Sequence, residues 1–125
     1  MAQVNMTSTI SATGLTSDTI SSTVQKVATV TTGGISRTTV VPTVIGSAAV
    51  FLTAADWTPT ATASAYVYLK NASAGWVRFL TTTTGANDEI YLAAGDWTLF
   101  PWTAAVDIKA YAQNANALVE HGVFF

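Results

Sequence analysis

The second half of the chain alternates between apolar and polar residues in five short segments, residues 66–71, 76–80, 89–92, 105–111 and 117–120. Alternation with a period of two residues is typical of strands that bury one face against a core. Clusters of Asn, Gly, Ser and Asp separate these segments, and such residues favour tight turns. Many short strands divided by turns indicate a sandwich rather than alternating strands and helices. The pattern predicts an all-β protein, an antiparallel two-sheet sandwich, jelly-roll-like, with a polar N-terminal strand or arm.

The first half of the chain is less regular. Residues 1–18 are rich in Thr and Ser and predict an edge strand or an extended arm, while residues 19–125 are predicted to form the sandwich domain. Residues 19–31 fit either the apolar face of a helix or a strand, and their many β-branched side chains favour the strand. Thr32-Gly33-Gly34 then predicts a hairpin turn, with the chain returning as residues 35–41.

The composition is poor in charge and rich in hydroxyl side chains. Only 10% of the residues are charged, whereas 22 Thr and 9 Ser account for a quarter of the chain. A surface covered by Thr, Ser and Ala loses little hydration energy when another protein covers it, so we expect a homo-oligomer or a component of a larger assembly. A Thr-rich secreted β-protein is the alternative. The chain has no cysteine, which excludes disulfides and thiolate metal sites.

Two classes of partner are not expected from the sequence. Nucleic-acid binding needs a concentrated basic surface, and the five basic residues are scattered: Lys26, Arg37, Lys70, Arg78 and Lys109. Residues 38–55 carry no charge, but Pro42 and Gly46 interrupt them, so two buried strands explain this segment better than a membrane helix. We therefore expect neither nucleic acid nor membrane as a partner.

Few residues have the chemistry of a catalytic or metal site. His121 is the single histidine, and no Gly-x-Ser-x-Gly motif accompanies it, so a Ser-His-Asp triad is not expected. Asp88 and Glu89 are adjacent and point to opposite faces of a strand, which excludes them as a glycosidase pair. One of them could hold calcium with Asp96 beside Asn87, although solvated turn residues are the simpler interpretation. We expect no catalytic residue, cofactor or metal site.

Four tryptophans are the richest feature for binding: Trp57, Trp76, Trp97 and Trp102. Exposed Trp and Tyr rings stack on sugars, so a carbohydrate-binding module competes with a structural role. A position in the core or in a subunit interface is the favoured interpretation for each tryptophan.

The strand pattern of about the last 60 residues resembles small virion proteins of tailed bacteriophages. The resemblance is carried by residues 68–71, which end in Lys-Asn, by residues 90–102 with a Leu-Ala-Ala-Gly turn and a proline, by residues 106–112 with a Lys-Ala strand, and by residues 117–124 with a Val-Glu strand. It implies a structural β-sandwich on a virus particle.

The most specific function that this resemblance implies is that of a capsid decoration, or cement, protein. Such a protein would bind the major capsid protein at the capsid surface, as a homo-oligomer and most simply a trimer, and stabilise the shell. Residues 2–16 would be free to add a strand to a neighbouring subunit. A tail or head-fibre component and a carbohydrate-binding β-sandwich module are the alternatives.

Overall fold

The computed structural model describes residues 2–12, 20–30, 33–57, 65–81, 89–113 and 115–125. In these ranges the protein consists of ten β-strands and two short 3₁₀ helices, without an α-helix, and all pairings between strands are antiparallel. The predicted all-β antiparallel class is confirmed. No helix in the described ranges is long and apolar enough to cross a membrane.

The strands are β1 (Ala2–Ala12), β2 (Ile20–Val30), β3 (Ile35–Val40), β4 (Ala49–Leu52), β5 (Ala65–Asn71), β6 (Val77–Leu80), β7 (Glu89–Leu92), β8 (Trp97–Trp102), β9 (Ile108–Ala112) and β10 (Ala117–Phe124). The 3₁₀ helices are Ile45–Ser47 and Ala54–Trp57, on either side of β4.

The chain divides into two compact units, Met1–Thr31 and Thr32–Phe125. The first unit contains β1 and β2, which pair along their whole length from Ala2 opposite Val30 to Ala12 opposite Ile20. Residues 20–30 therefore form the strand that their β-branched residues favoured. Their partner is β1, although the sequence grouped them with the sandwich that follows.

The two faces of the β1–β2 ribbon differ in polarity because directly paired residues share a face. One face carries the apolar residues Val4, Met6 and Ile10 from β1 with Val24 and Ala28 from β2, together with Ser8, Ser22 and Lys26. The other face is mostly polar and carries Gln3, Asn5, Thr7, Thr9, Ser11, Ser21, Thr23, Gln25 and Val27. The period-2 pattern of the first residues thus gives an amphipathic ribbon.

The second unit contains two four-stranded sheets. Sheet I has the strand order β3-β10-β5-β8 and sheet II has the order β4-β9-β6-β7. Buried side chains from both sheets form one hydrophobic core, in which Val67, Leu69, Val77, Phe79 and Val119 are almost completely inaccessible to solvent. In β5 every second residue is buried, as the sequence pattern predicted.

The predicted hairpin at Gly33-Gly34 is wrong, because β3 pairs with β10 and β2 pairs with β1. Gly33 and Gly122 allow close packing between this segment and β10 instead. A Cβ at Gly33 would collide with the ring of Phe124, and a Cβ at Gly122 would lie 2.6 Å from the carbonyl oxygen of Gly34. The absence of side chains here lets the segment before β3 lie against the last strand.

Asn71 connects the ends of the two sheets through a fully buried side chain. Its amide nitrogen donates to the carbonyl oxygens of Gly75 (2.6 Å) and Leu92 (3.0 Å), and its amide oxygen accepts from the N–H of Ser73 (2.9 Å). Leu92 ends β7 in sheet II, whereas Asn71 ends β5 in sheet I. A buried amide is stable only where its hydrogen bonds are satisfied, and these three contacts satisfy it.

Candidate functional site: an aromatic–arginine patch

Arg78 lies at the centre of a group of aromatic side chains on the outer face of sheet II. In the strand register, Arg78 of β6 is opposite Tyr91 of β7 on one side and Tyr111 of β9 on the other. Its neighbours Val77 and Phe79 are buried, so alternation along β6 directs Arg78 away from the core.

The guanidinium of Arg78 contacts three rings. Its central carbon is 4.7 Å from the ring centroid of Trp76 and 5.4 Å from that of Tyr91, both within the range of a cation–π interaction. Its Nη1 donates to the hydroxyl of Tyr111 at 3.3 Å. These contacts fix the guanidinium plane relative to the surrounding rings.

The rings also contact one another. Trp76 meets Tyr111 edge to face, with centroids 5.6 Å apart, and lies 6.0 Å from Tyr91 at a tilt of 39°. Tyr111 is buried, Trp76 and Arg78 are half-buried, and Tyr91 is 51% exposed. We call Trp76, Arg78, Tyr91 and Tyr111 the aromatic–arginine patch. It presents a supported, solvent-facing ring beside a cationic group with several N–H donors.

The other tryptophans occupy different environments. Trp102 is 7% exposed and belongs to the core, one of the two positions favoured from the sequence. Trp97 on β8 is exposed to the same extent as Tyr91, on the outer face of sheet I opposite Lys70. The side chain of Trp57 lies outside the described residues.

His121 lies between Thr38 of sheet I and Phe51 of sheet II. Its Nε2 and the Thr38 hydroxyl are hydrogen-bonded at 2.9 Å, and its ring meets Phe51 edge to face at 4.9 Å. Burial lowers the pKa of the imidazole because the charged form loses hydration. These contacts indicate that His121 packs at the edge of the core.

Asp96, Asp107 and Glu120 have structural partners: a turn, the start of the second 3₁₀ helix, and a surface ion pair. Asp96 accepts from the N–H of Ala93 at 3.0 Å, and Asp107 accepts from the N–H of Ala54 at 2.7 Å. Among the described residues, no group of three His, Cys, Asp or Glu could hold a metal ion. Of the residues considered for calcium, Asn87 and Asp88 and the side chain of Glu89 lie outside the described part of the chain.

The outer face of sheet I carries a short polar network. Arg37 and Glu120 form an ion pair at 3.3 Å, and the Tyr68 hydroxyl donates to Glu120 at 3.1 Å. Burial is the largest cause that raises the pKa of the Tyr68 hydroxyl, and the hydrogen bond to Glu120 raises this pKa further. The network is in contact with solvent, so it contributes little to stability.

Two clefts of the second unit are too small for an ordinary substrate. One, of about 100 Å³, is lined by Thr38, Val40, Val50 and Phe51 among others, and another, of about 70 Å³, lies beside Trp102. Typical ligand pockets have volumes of roughly 300–1,000 Å³. The aromatic–arginine patch is therefore the best candidate for a functional site within the described residues.

In the sequence Arg78 is one of five scattered basic residues, and its aromatic partners come from three separate places in the chain. The spacing Trp76-x-Arg78 puts both on one face of a strand, which is the one local signal of the patch. Comparison of the chain with protein-family models, with curated proteins and with solved structures gives no match. The resemblance to phage virion proteins therefore stays a prediction.

Proposed function

We propose that the protein is a jelly-roll structural protein of a virus particle, most specifically a capsid decoration protein that binds and stabilises the shell. The observation that carries this proposal is the order of the strands in the two sheets.

The eight strands of the second unit pair as nested partners. The first strand of the unit pairs with the last (β3 with β10), the second with the seventh (β4 with β9), the third with the sixth (β5 with β8) and the fourth with the fifth (β6 with β7). Two further pairings, β10 with β5 and β9 with β6, join these pairs into sheets I and II.

Nested pairing of this kind is expected of a jelly roll, in which one long antiparallel hairpin wraps around a core, and it supports our proposal of that topology. Eight-stranded jelly rolls occur in viral capsid proteins and in lectins. The strand order thus supports a fold that suits both the phage resemblance and the competing carbohydrate-binding interpretation. The low charge and the Thr-rich composition favour the assembly component.

The N-terminal ribbon supplies a surface for contact with a neighbour. Ile10 and Val24 lie diagonally across the β1–β2 pair on the same face, and each is 64% exposed. A two-stranded ribbon by itself is at best marginally stable in water and gains stability from contact with a further layer. Met6 and Ala28 on this face are already buried. We expect its exposed part, around Ile10 and Val24, to be covered in the assembled particle, where many copies acting together raise the apparent affinity.

The outer face of sheet I suits contact between copies of the protein. Ile35, Trp97 and Leu118 are exposed there, on the same face as the ion pair of Arg37 with Glu120. We expect a homo-oligomer, most simply a trimer. Light scattering that gives only a monomer at micromolar concentration, both free and after release from shells, would contradict this part of the proposal.

The test of the main proposal adds purified protein to undecorated phage shells and measures co-sedimentation and the rupture temperature. We expect saturable binding and a higher rupture temperature. The double substitution Ile10→Ser with Val24→Ser should weaken binding, whereas Thr7→Ala with Gln25→Ala, on the polar face of the same ribbon, should not. His121→Ala should also bind, since no catalytic role is expected.

Failure of the intact protein to sediment with shells or to change their rupture temperature would refute the decoration function. Binding to purified tails instead would favour the tail or head-fibre alternative. Equal binding by both double variants would remove the ribbon from the contact and leave the sandwich as the contact surface.

A further inference from the structure

We propose that the aromatic–arginine patch is a saccharide-binding site that accepts a hexopyranose unit of a glycan. This goes beyond the proposed role in the particle and does not depend on it, because the inference rests on the geometry of sheet II alone.

The exposed ring of Tyr91 supplies the stacking surface. One face of a pyranose carries several C–H groups, which pack against an aromatic ring, while its hydroxyls point outward around the edge. Tyr91 is half exposed and has Trp76 beside it at 6.0 Å, a separation close to the width of one sugar ring. The two tilted rings thus offer a shallow aromatic surface the size of a single pyranose.

Arg78 supplies hydrogen-bond donors at the edge of that surface. A guanidinium has five N–H donors in a planar fork, and neighbouring sugar hydroxyls accept from such a fork. The guanidinium lies against both rings, at 4.7 Å from Trp76 and 5.4 Å from Tyr91, with Nε buried and Nη1 donating to Tyr111. The terminal Nη groups, and not Nε, are therefore the donors that a sugar hydroxyl beside the rings would reach.

The patch is held in place before a ligand arrives. Tyr111, which is buried, accepts a hydrogen bond from Arg78 and packs edge to face against Trp76. Side chains that are already fixed lose little conformational freedom on binding, so a small ligand that makes few contacts can still bind.

The size of the patch favours a saccharide over a protein partner. A stable protein interface covers about 800 Å² on each partner and includes 20–30 residues. The patch offers one exposed ring, one half-buried ring and one guanidinium, an area that suits one or two sugar units.

The experiment is saturation-transfer NMR on the full-length protein with three trisaccharides as probes: chitotriose, maltotriose and tri-galacturonate. We expect transfer from the protein to at least one of them. The three probes separate acetamido, neutral and acidic sugars, and preference for tri-galacturonate would assign the guanidinium a charge-pairing role.

Substitutions then locate the site. Tyr91→Ala should weaken binding at least tenfold, while Tyr91→Phe, which keeps the ring, should stay within about twofold of the parent protein. Arg78→Lys should weaken binding because it loses the planar fork. Val106→Ala is the matched control, since Val106 is exposed to the same extent as Tyr91 and belongs neither to the patch nor to the outer face of sheet I.

A second measurement does not depend on any variant folding. In a titration followed by ¹H–¹⁵N spectra, the indole N–H of Trp76 should shift while that of Trp102, which is buried in the core, should not. Absence of transfer to all three probes would overturn the proposal, as would Tyr91→Ala binding as well as the parent. If Tyr91→Ala instead loses shell binding and no saccharide binds, the patch contacts protein and the proposal is wrong.

Discussion

Replacing Asn71 with alanine tests whether one buried amide holds the ends of the two sheets together. In the variant, the carbonyl oxygens of Gly75 and Leu92 lose a donor, and the N–H of Ser73 loses its acceptor. A loss of about 1 kcal/mol per hydrogen bond, and more where a buried group keeps no partner, gives about 3–5 kcal/mol. At about 4 °C per kcal/mol for a domain of this size, the Tm should fall by roughly 12–20 °C.

The assay is thermal unfolding followed by circular dichroism in the strand band, with urea unfolding as a second measure of the free energy. Gln113→Ala is the control, because the side chain of Gln113 is exposed, and we expect it to change stability by less than about 0.5 kcal/mol. A fall in Tm for Asn71→Ala no greater than that for Gln113→Ala would refute the reasoning.

Asn71→Asp separates hydrogen bonding from packing because it keeps the shape of the side chain. The carboxylate has no donor for the carbonyl oxygens of Gly75 and Leu92, so burial and these two oxygens should raise its pKa above the ordinary value of about 3.9. A raised folded-state pKa means that stability is highest at low pH and is lost as pH rises through that pKa. The stability difference from the parent protein should therefore shrink between pH 7 and pH 4, whereas the difference for Asn71→Ala should stay constant.

Three further predictions concern single contacts. Gly122→Ala should destabilise the protein by about 1–3 kcal/mol, because the new Cβ would lie 2.6 Å from the carbonyl oxygen of Gly34, while Gly34→Ala, with open space around its Cβ, should be nearly neutral in urea unfolding. The pKa of His121 is lowered by burial, so the unfolded chain binds more protons and stability should fall as pH drops below about 6.5; His121→Gln should remove this pH dependence, and an unchanged profile would contradict it. Arg37→Ala should lower the free energy of unfolding by at most about 0.5 kcal/mol, since Arg37 is 63% exposed and its ion pair with Glu120 is open to water. A fall in Tm of more than about 5 °C would contradict this.

Core-facing residues could be predicted from the sequence where a strand alternates with a period of two, as β5 does. In β5 buried and half-buried residues alternate, and the buried residues Val67 and Leu69 follow the apolar pattern, whereas the buried Asn71 departs from it. The core position of Trp102 was one of two alternatives favoured for every tryptophan, and alternation did not decide between them because Pro101 interrupts its phase. Alternation reports which side chains share a face, and it needs no knowledge of the neighbouring strand.

Strand partners could not be predicted in the same way. The pairing of β3 with β10 joins residues about 80 positions apart, and nothing in either segment specifies the other. The local signal at Gly33-Gly34 pointed to a hairpin, because a pair of glycines favours tight turns as well as close packing. The close contacts of this segment with Gly122 and Phe124 show that close packing, and not a hairpin turn, is the role found in the structure.

Predicting the aromatic–arginine patch requires both the alternation along β6 and the pairing of β6 with its neighbours, and the sequence alone shows only the alternation. Trp76 and Arg78 share a face by alternation, but Tyr91 and Tyr111 join them only through the pairing of β6 with β7 and β9. The same alternation places Val77 and Phe79 in the core on the opposite face of β6. A short strand with two inaccessible core residues cannot slide or rotate without disrupting the core, so the outward guanidinium stays fixed relative to the rings. The rigidity that a small, weakly bound ligand requires thus comes from the packing between the sheets rather than from the patch itself.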